Sequence, residues 1–156
     1  MVWTVDQSPG EDRSGSALLA RWTDVGGVAH NFRVHTTIEG DQRHADVAAR
    51  PGGGFVIAWQ DASERGADTR GEAIRLQAFD ATGSRDGAER LVNVGTEGDQ
   101  VGPAVAALAD GRAAVTWYDN ESGSVRLRVV GTDAAADGPE VMVAPADTVF
   151  GARPQV

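Results

Sequence analysis

Two copies of a Glu-Gly-Asp-Gln tetrad, Glu39-Gly40-Asp41-Gln42 and Glu97-Gly98-Asp99-Gln100, are the first residues in this chain whose types could do chemistry. Carboxylate and amide oxygens of this kind suit a calcium ion. Each tetrad, however, carries two acids without the Gly-spaced Asp series of a calcium loop, and Gly-Asp is turn chemistry in which the Asp side chain accepts backbone N–H groups. A structural role is therefore expected for Gly40, Asp41, Gln42, Gly98, Asp99 and Gln100. The third related segment, Val149-Phe150-Gly151, lacks the Asp-Gln, which argues further against a metal site. Asp61 and Asp119 each follow a Trp by two residues; they either cap a loop or line a shared acidic mouth. Core or seam packing is the favoured reading of Trp22, but of the aromatics it is the one closest to a surface role, where an indole face could take a sugar or a cation. Trp22, Asp61 and Asp119 are thus the candidate ligand-binding residues.

Other chemistries find little footing. His30 and His35 are an odd number apart and would face opposite sides of a straight strand, while His44 belongs to another segment. No Ser or Thr sits in a nucleophile elbow, and no Gly-rich loop matches a phosphate-binding fingerprint. No catalytic residue, metal or cofactor is expected.

The elements that must position these residues repeat. Glu39–Gln60 and Glu97–Tyr118 share one plan: acidic turn, short apolar strand, Gly-containing hairpin, second strand with Trp. In the middle unit the strands expected are Asp46–Ala49, Phe55–Gln60, Ala73–Phe79 and Arg90–Val94. The third unit repeats them as Ala104–Leu108, Ala113–Tyr118, Val125–Val130 and Glu140–Ala144. At the N-terminus Val2–Val5, Ala17–Trp22 and Phe32–Thr36 match the second, third and fourth strands. Trp3, Trp59 and Trp117 are then equivalent, and core packing is expected of them. Gly151–Val156 matches a first strand.

Four short antiparallel strands per repeat, with no window of helical periodicity, make an all-β chain built of propeller blades. The blades are 2–39 completed by 150–156, then 40–97, then 98–149. Three blades fall short of the usual four to eight. The expectation is a homodimer closing a six-bladed ring, the terminal strand being exchanged between copies. A piece of a larger propeller and a non-propeller β arrangement are the alternatives.

Composition limits the partners. Fourteen basic residues, all Arg, stand against 23 acidic ones, for a net charge of −9. That balance argues against nucleic acid and against anionic membranes. No apolar run approaches a membrane span, and MVWTVDQS has no signal-peptide pattern. With no Cys there is no disulfide framework.

The segments GDQVGPAVAALADGRAAVTW and VRLRVVGTDAAADGPEVMV resemble repeats in large secreted bacterial proteins, adhesins and haemolysin-type calcium-binding proteins among them. That resemblance implies propeller blades and an extracellular or cell-surface setting. The chain has neither the calcium nonapeptide nor the sialidase-type box of such proteins, so neither chemistry carries over. The function expected is a non-catalytic binding or scaffold module, with carbohydrate as its ligand class. A purely structural or protein-interaction repeat, and a hydrolase with carboxylates at the axial mouth, are the other readings.

Overall fold

The computed structural model describes residues 1–6, 15–131 and 137–145. Eleven strands form three antiparallel sheets, and there is no helix among the described residues. Sheet 1 contains β1 (Val2–Asp6), β2 (Ser16–Thr23) and β3 (Ala29–Arg33), in that order. Sheet 2 runs β4 (Gln42–Ala49), β5 (Phe55–Asp61), β6 (Ala73–Phe79) and β7 (Arg90–Leu91). Sheet 3 runs β8 (Gln100–Ala107), β9 (Ala113–Asp119), β10 (Ser124–Val130) and β11 (Glu140–Ala144). Each is a simple meander, because its connections, from four residues between β9 and β10 to eleven between β5 and β6, are too short for a crossover and join antiparallel neighbours.

The pairing register turns the sequence repeat into a spatial one. Trp3 lies opposite Leu19, Trp59 opposite Arg75 and Trp117 opposite Arg126. Strand bounds differ from the sequence expectation in two places. β3 sits at Ala29–Arg33 rather than Phe32–Thr36, because its partners on β2 run from Thr23 back to Leu19. β7 stops at Leu91 rather than Val94, because the Asn93 side chain, not a backbone carbonyl, takes the Ile74 N–H at 2.9 Å. The Gly151–Val156 strand lies outside the described residues.

The sheets stack in chain order, and alternation decides what lies between them. Along β5, Ile57 and Trp59 face sheet 1, where they meet Leu18, Ala20 and Val34 alongside Phe79 of their own sheet. The opposite face of the same strand sends Val56 and Ala58 to sheet 3, against Val105, Val115 and Trp117. Trp59 and Trp117 are both fully buried, each directed at the preceding sheet. Phe32, Phe55 and Phe79 cluster beside Trp59, with the Phe55 and Phe79 rings stacked at 4.9 Å. Neighbouring sheets approach most closely at their first strands, β4 against β8, and diverge towards the fourth.

Removing either buried indole leaves a void that sheets on both sides cannot close. Trp59→Ala and Trp117→Ala should each cost about 3–5 kcal/mol in urea unfolding. Trp3→Ala, at the half-buried equivalent on β1, should cost the folded chain well under half of that.

Candidate functional site

The tetrads prove to be joints between sheets. Asp41 Oδ1 accepts the backbone N–H of Ser16, at the start of β2, at 2.7 Å, and the Ser16 hydroxyl at 3.1 Å. Asp99 Oδ1 accepts the N–H of Glu72, just before β6, at 3.1 Å. Ser16 and Glu72 hold equivalent positions, so each Asp reaches back to the same point on the preceding sheet. The Asp backbone carbonyls meanwhile accept N–H groups of their own sheets, from Ala62 and Asn120. Gln42 and Gln100 close the turns, their Nε2 groups donating to the carbonyls of Glu39 and Gly40 and of Glu97 and Gly98. Gly71 permits the close approach: its φ is +88°, and a Cβ there would collide with the Asp99 carboxylate and the Gly98 carbonyl.

A second joint was invisible to sequence reasoning. Glu89, opening the β7 segment, accepts the Thr36 N–H at 2.7 Å and its hydroxyl at 2.8 Å. Glu140 on β11 accepts the Val94 N–H at 2.6 Å. Between these Glu residues and the post-Trp Asp residues lies an Arg. Arg75 bonds Asp61 through Nε and lies 3.4 Å from Glu89; Arg126 lies 3.3 Å from Asp119 and 3.9 Å from Glu140. Sheets 2 and 3 thus carry the same Asp–Arg–Glu row on the face towards the preceding sheet. The available signal was that Arg75/Arg126 and Glu89/Glu140 recur at one offset.

Asp61 and Asp119 therefore cap and pair rather than line an open mouth. Asp61 is 1% exposed and also accepts the Ser63 hydroxyl and the Gln42 amide. Asp119 is 9% exposed and accepts the N–H groups of Glu121 and Ser122.

Trp22 lies elsewhere, at the outer end of β2. Its ring packs 5.1 Å from His30 and close against Gly83, where a Cβ would come within 3.1 Å of Cε3. His30 in turn bonds Asp24, His44 bonds the Gln60 amide oxygen at 2.9 Å, and buried His35 bonds the Thr37 carbonyl. Trp22, Asp61 and Asp119 are not brought together. No group of three His, Cys, Asp or Glu among the described residues is placed to hold a metal ion.

The class of protein defined by this geometry is an all-β chain of three stacked antiparallel sheets. Among known proteins, no family model matches the chain and none of the curated proteins compared with it does.

The joints and turns make two tests. Asp41→Ala or Asp99→Ala removes an acceptor that ties two sheets, and each should cost about 1–3 kcal/mol. Added calcium or chelator should leave the melting temperature of the native chain unchanged, because these carboxylates already have donors. Asp24, Asp80 and Asp110, in exposed turns, are held below the ordinary carboxylate range. The causes are the Val28 N–H and then His30 for Asp24, the Thr82 hydroxyl and then the Ser84 N–H for Asp80, and the Arg112 side chain for Asp110. A carboxyl whose folded value is depressed contributes stability above its unfolded value of about 4, and loses it as pH falls through the folded value. The melting temperature should accordingly hold above about pH 4 and decline below it.

Proposed function

We propose that this chain is a non-catalytic β-propeller scaffold module, half of a six-bladed ring that a second copy closes. The observation that carries this reading is the state of the two outward faces. Each is the repeat equivalent of a face that is buried inside the chain. On sheet 3 the outward row includes Tyr118, Val125, Leu127 and Val129, all half-buried. Their counterparts on sheet 2, Gln60, Ile74, Leu76 and Ala78, are packed under sheet 3, with Gln60, Ile74 and Leu76 all buried. On sheet 1 the outward row is Trp3, Val5 and Leu19, also half-buried. In sheets 2 and 3 the matching positions are Trp59/Trp117, Asp61/Asp119 and Arg75/Arg126. A sheet 3 from one copy laid on sheet 1 of another repeats a junction that the chain has already made twice.

Sheet 1 supports the reading in a second way. It replaces the Asp–Arg–Glu row by Val5, Leu19 and Asn31, with Arg33 across from Leu19, so the ionic row of the inner junctions is absent from its outward face. Val5 and Leu19 gain about 25 cal/mol per Å² of apolar area that a docked sheet covers. The fanning of the sheets from their first strands is the wedge shape a ring needs.

Scaffold is favoured over a ligand-binding or hydrolytic role by the site residues themselves. Trp22 has neighbours against its ring, and Asp61 and Asp119 are bound to Arg. The assembly then supplies the function: a rigid, acidic ring that presents twofold-repeated surfaces.

Size exclusion with light scattering tests this directly. A mass near twice 16.3 kDa is expected. Leu19→Arg, which sets a second positive charge across from Arg33 on the sheet 1 face, should give monomers that keep the native melting behaviour. A native chain that is monomeric throughout the micromolar range would sink the ring.

A further inference from the structure

The β1 edge of sheet 1, together with the cavity beside it, points to a strand-acceptor site. We infer that its occupant is the Gly151–Val156 segment of a second copy, read by a defined register and by one side chain. This rests on the two-copy reading above and specifies its seam.

The edge comes first. Arg21 N–H donates to the Met1 carbonyl at 2.8 Å and the Met1 nitrogen donates to the Arg21 carbonyl at 3.0 Å. Met1 and Arg21 therefore exchange both bonds, and by antiparallel alternation so do Trp3 with Leu19 and Val5 with Ala17. Val2 and Thr4 are the intervening positions, whose N–H and C=O groups point away from β2. In sheets 2 and 3 that side of the Trp strand is covered by β4 and β8. Among the described residues, nothing pairs with it in sheet 1.

The cavity comes second. A space of about 360 Å³ lies between sheets 1 and 2, walled by Val2, Ala20, Val47, Ala49 and Ile57 among others. Their equivalents at the next junction are Ala58, Leu76, Val105, Ala107 and Val115. There the first strand β4 lies alongside, with its Ala48 packed against the core. The void lies beside the vacant first-strand position.

The side-chain rule follows from the filled junction. Asp46, opposite Ala58, turns its carboxylate across the junction and accepts the Val105 N–H at 2.8 Å. At the vacant position the opposite residue is Val2, and the donor to be met is the Val47 N–H. The incoming strand needs a hydrogen-bond acceptor opposite Val2.

One segment of the chain has that sequence. Gln42 follows Arg33 by nine residues and Gln100 follows Leu91 by nine, so a fixed linker carries each fourth strand into the next sheet's first. The same step from Met142 reaches Gly151. In this alignment Pro154 repeats Pro103 of β8, Val156 repeats Val47 and Val105, and Gln155 takes the place of Asp46. On the two-copy reading, the sheet that follows sheet 3 is sheet 1 of the second copy. Backbone pairing supplies the affinity of such strand addition and the alternate side chains its selectivity.

Three measurements on the full chain test the site. Thr4→Pro removes an outward N–H without touching the β1–β2 bonds, a change that edge strands tolerate. It should abolish dimers at concentrations where the native chain is fully dimeric, with the melting profile of the monomer intact. Gln155→Ala should weaken dimerisation roughly three- to tenfold, the effect of one hydrogen bond. A synthetic peptide of residues 150–156, added in excess, should dissociate the native dimer and protect the Val2 and Thr4 amides from hydrogen exchange. A native dimer indifferent to all three overturns the strand acceptor and leaves the face-to-face ring standing. A native monomer overturns the second copy as donor; peptide protection of Val2 and Thr4 then keeps the acceptor edge, and its absence overturns that as well.

Discussion

The carboxylates of Asp41 and Asp99 are the interaction on which the stack depends. Apolar sheet faces attract each other without direction, so packing by itself would let one sheet slide over the next. A charge-assisted bond from a loop Asp to one N–H on the preceding sheet selects a single offset. The same Asp residues tie their own sheets through their carbonyls, so each belongs structurally to two sheets at once. Gln42 and Gln100 then hold the turn that aims the carboxylate. Because the joint uses backbone donors, the identity of the residue it grips is free to vary, and Ser16 and Glu72 share nothing beyond position.

Burying the Asp–Arg–Glu rows looks costly at first sight. Arg75 is 8% exposed and Asp61 1%, and ions taken from water carry a desolvation penalty that only good geometry offsets. The sheet 2 row meets that condition through Arg75, which bonds Asp61 and the Arg65 carbonyl and lies beside Glu89. Arg126 of the sheet 3 row instead holds Asp119 and Glu140 by ion pairing and donates to the Ser122 hydroxyl. Glu89 and Glu140 also spend their oxygens on the preceding sheet. The ionic row therefore fixes a junction as much as it stabilises one. Its replacement by Val5, Leu19 and Asn31 on sheet 1 marks that face as different in kind from the two inner ones.

Much of this was legible from the sequence. Alternation in Ile74–Leu76–Ala78 and Val125–Leu127–Val129 identifies strands because the side-chain period of a strand is two. The recurrence of Gly-Asp-Gln and of Trp pointed to a repeat, and the tetrad residues make turn and cross-sheet hydrogen bonds. Strand ends were less legible where a side chain stands in for backbone, as Asn93 does at the end of β7. β3 was misplaced by three residues because its bounds are set by pairing with β2, a property of two segments rather than one. The Arg and Glu of the ionic rows escaped notice since they lie on separate strands, and only the sheet register aligns them with Asp61 and Asp119.

By itself the sequence determined the local conformation: turns at Gly and Asp, alternating strands, and a period that builds similar sheets in succession. These depend on residues close together in the chain and on backbone sterics. The tertiary structure alone decided which face of each sheet is covered, which acids are consumed as joints, and where an edge and a cavity are left over. Those outcomes depend on distances between residues tens of positions apart, and the packing of whole sheets sets such distances.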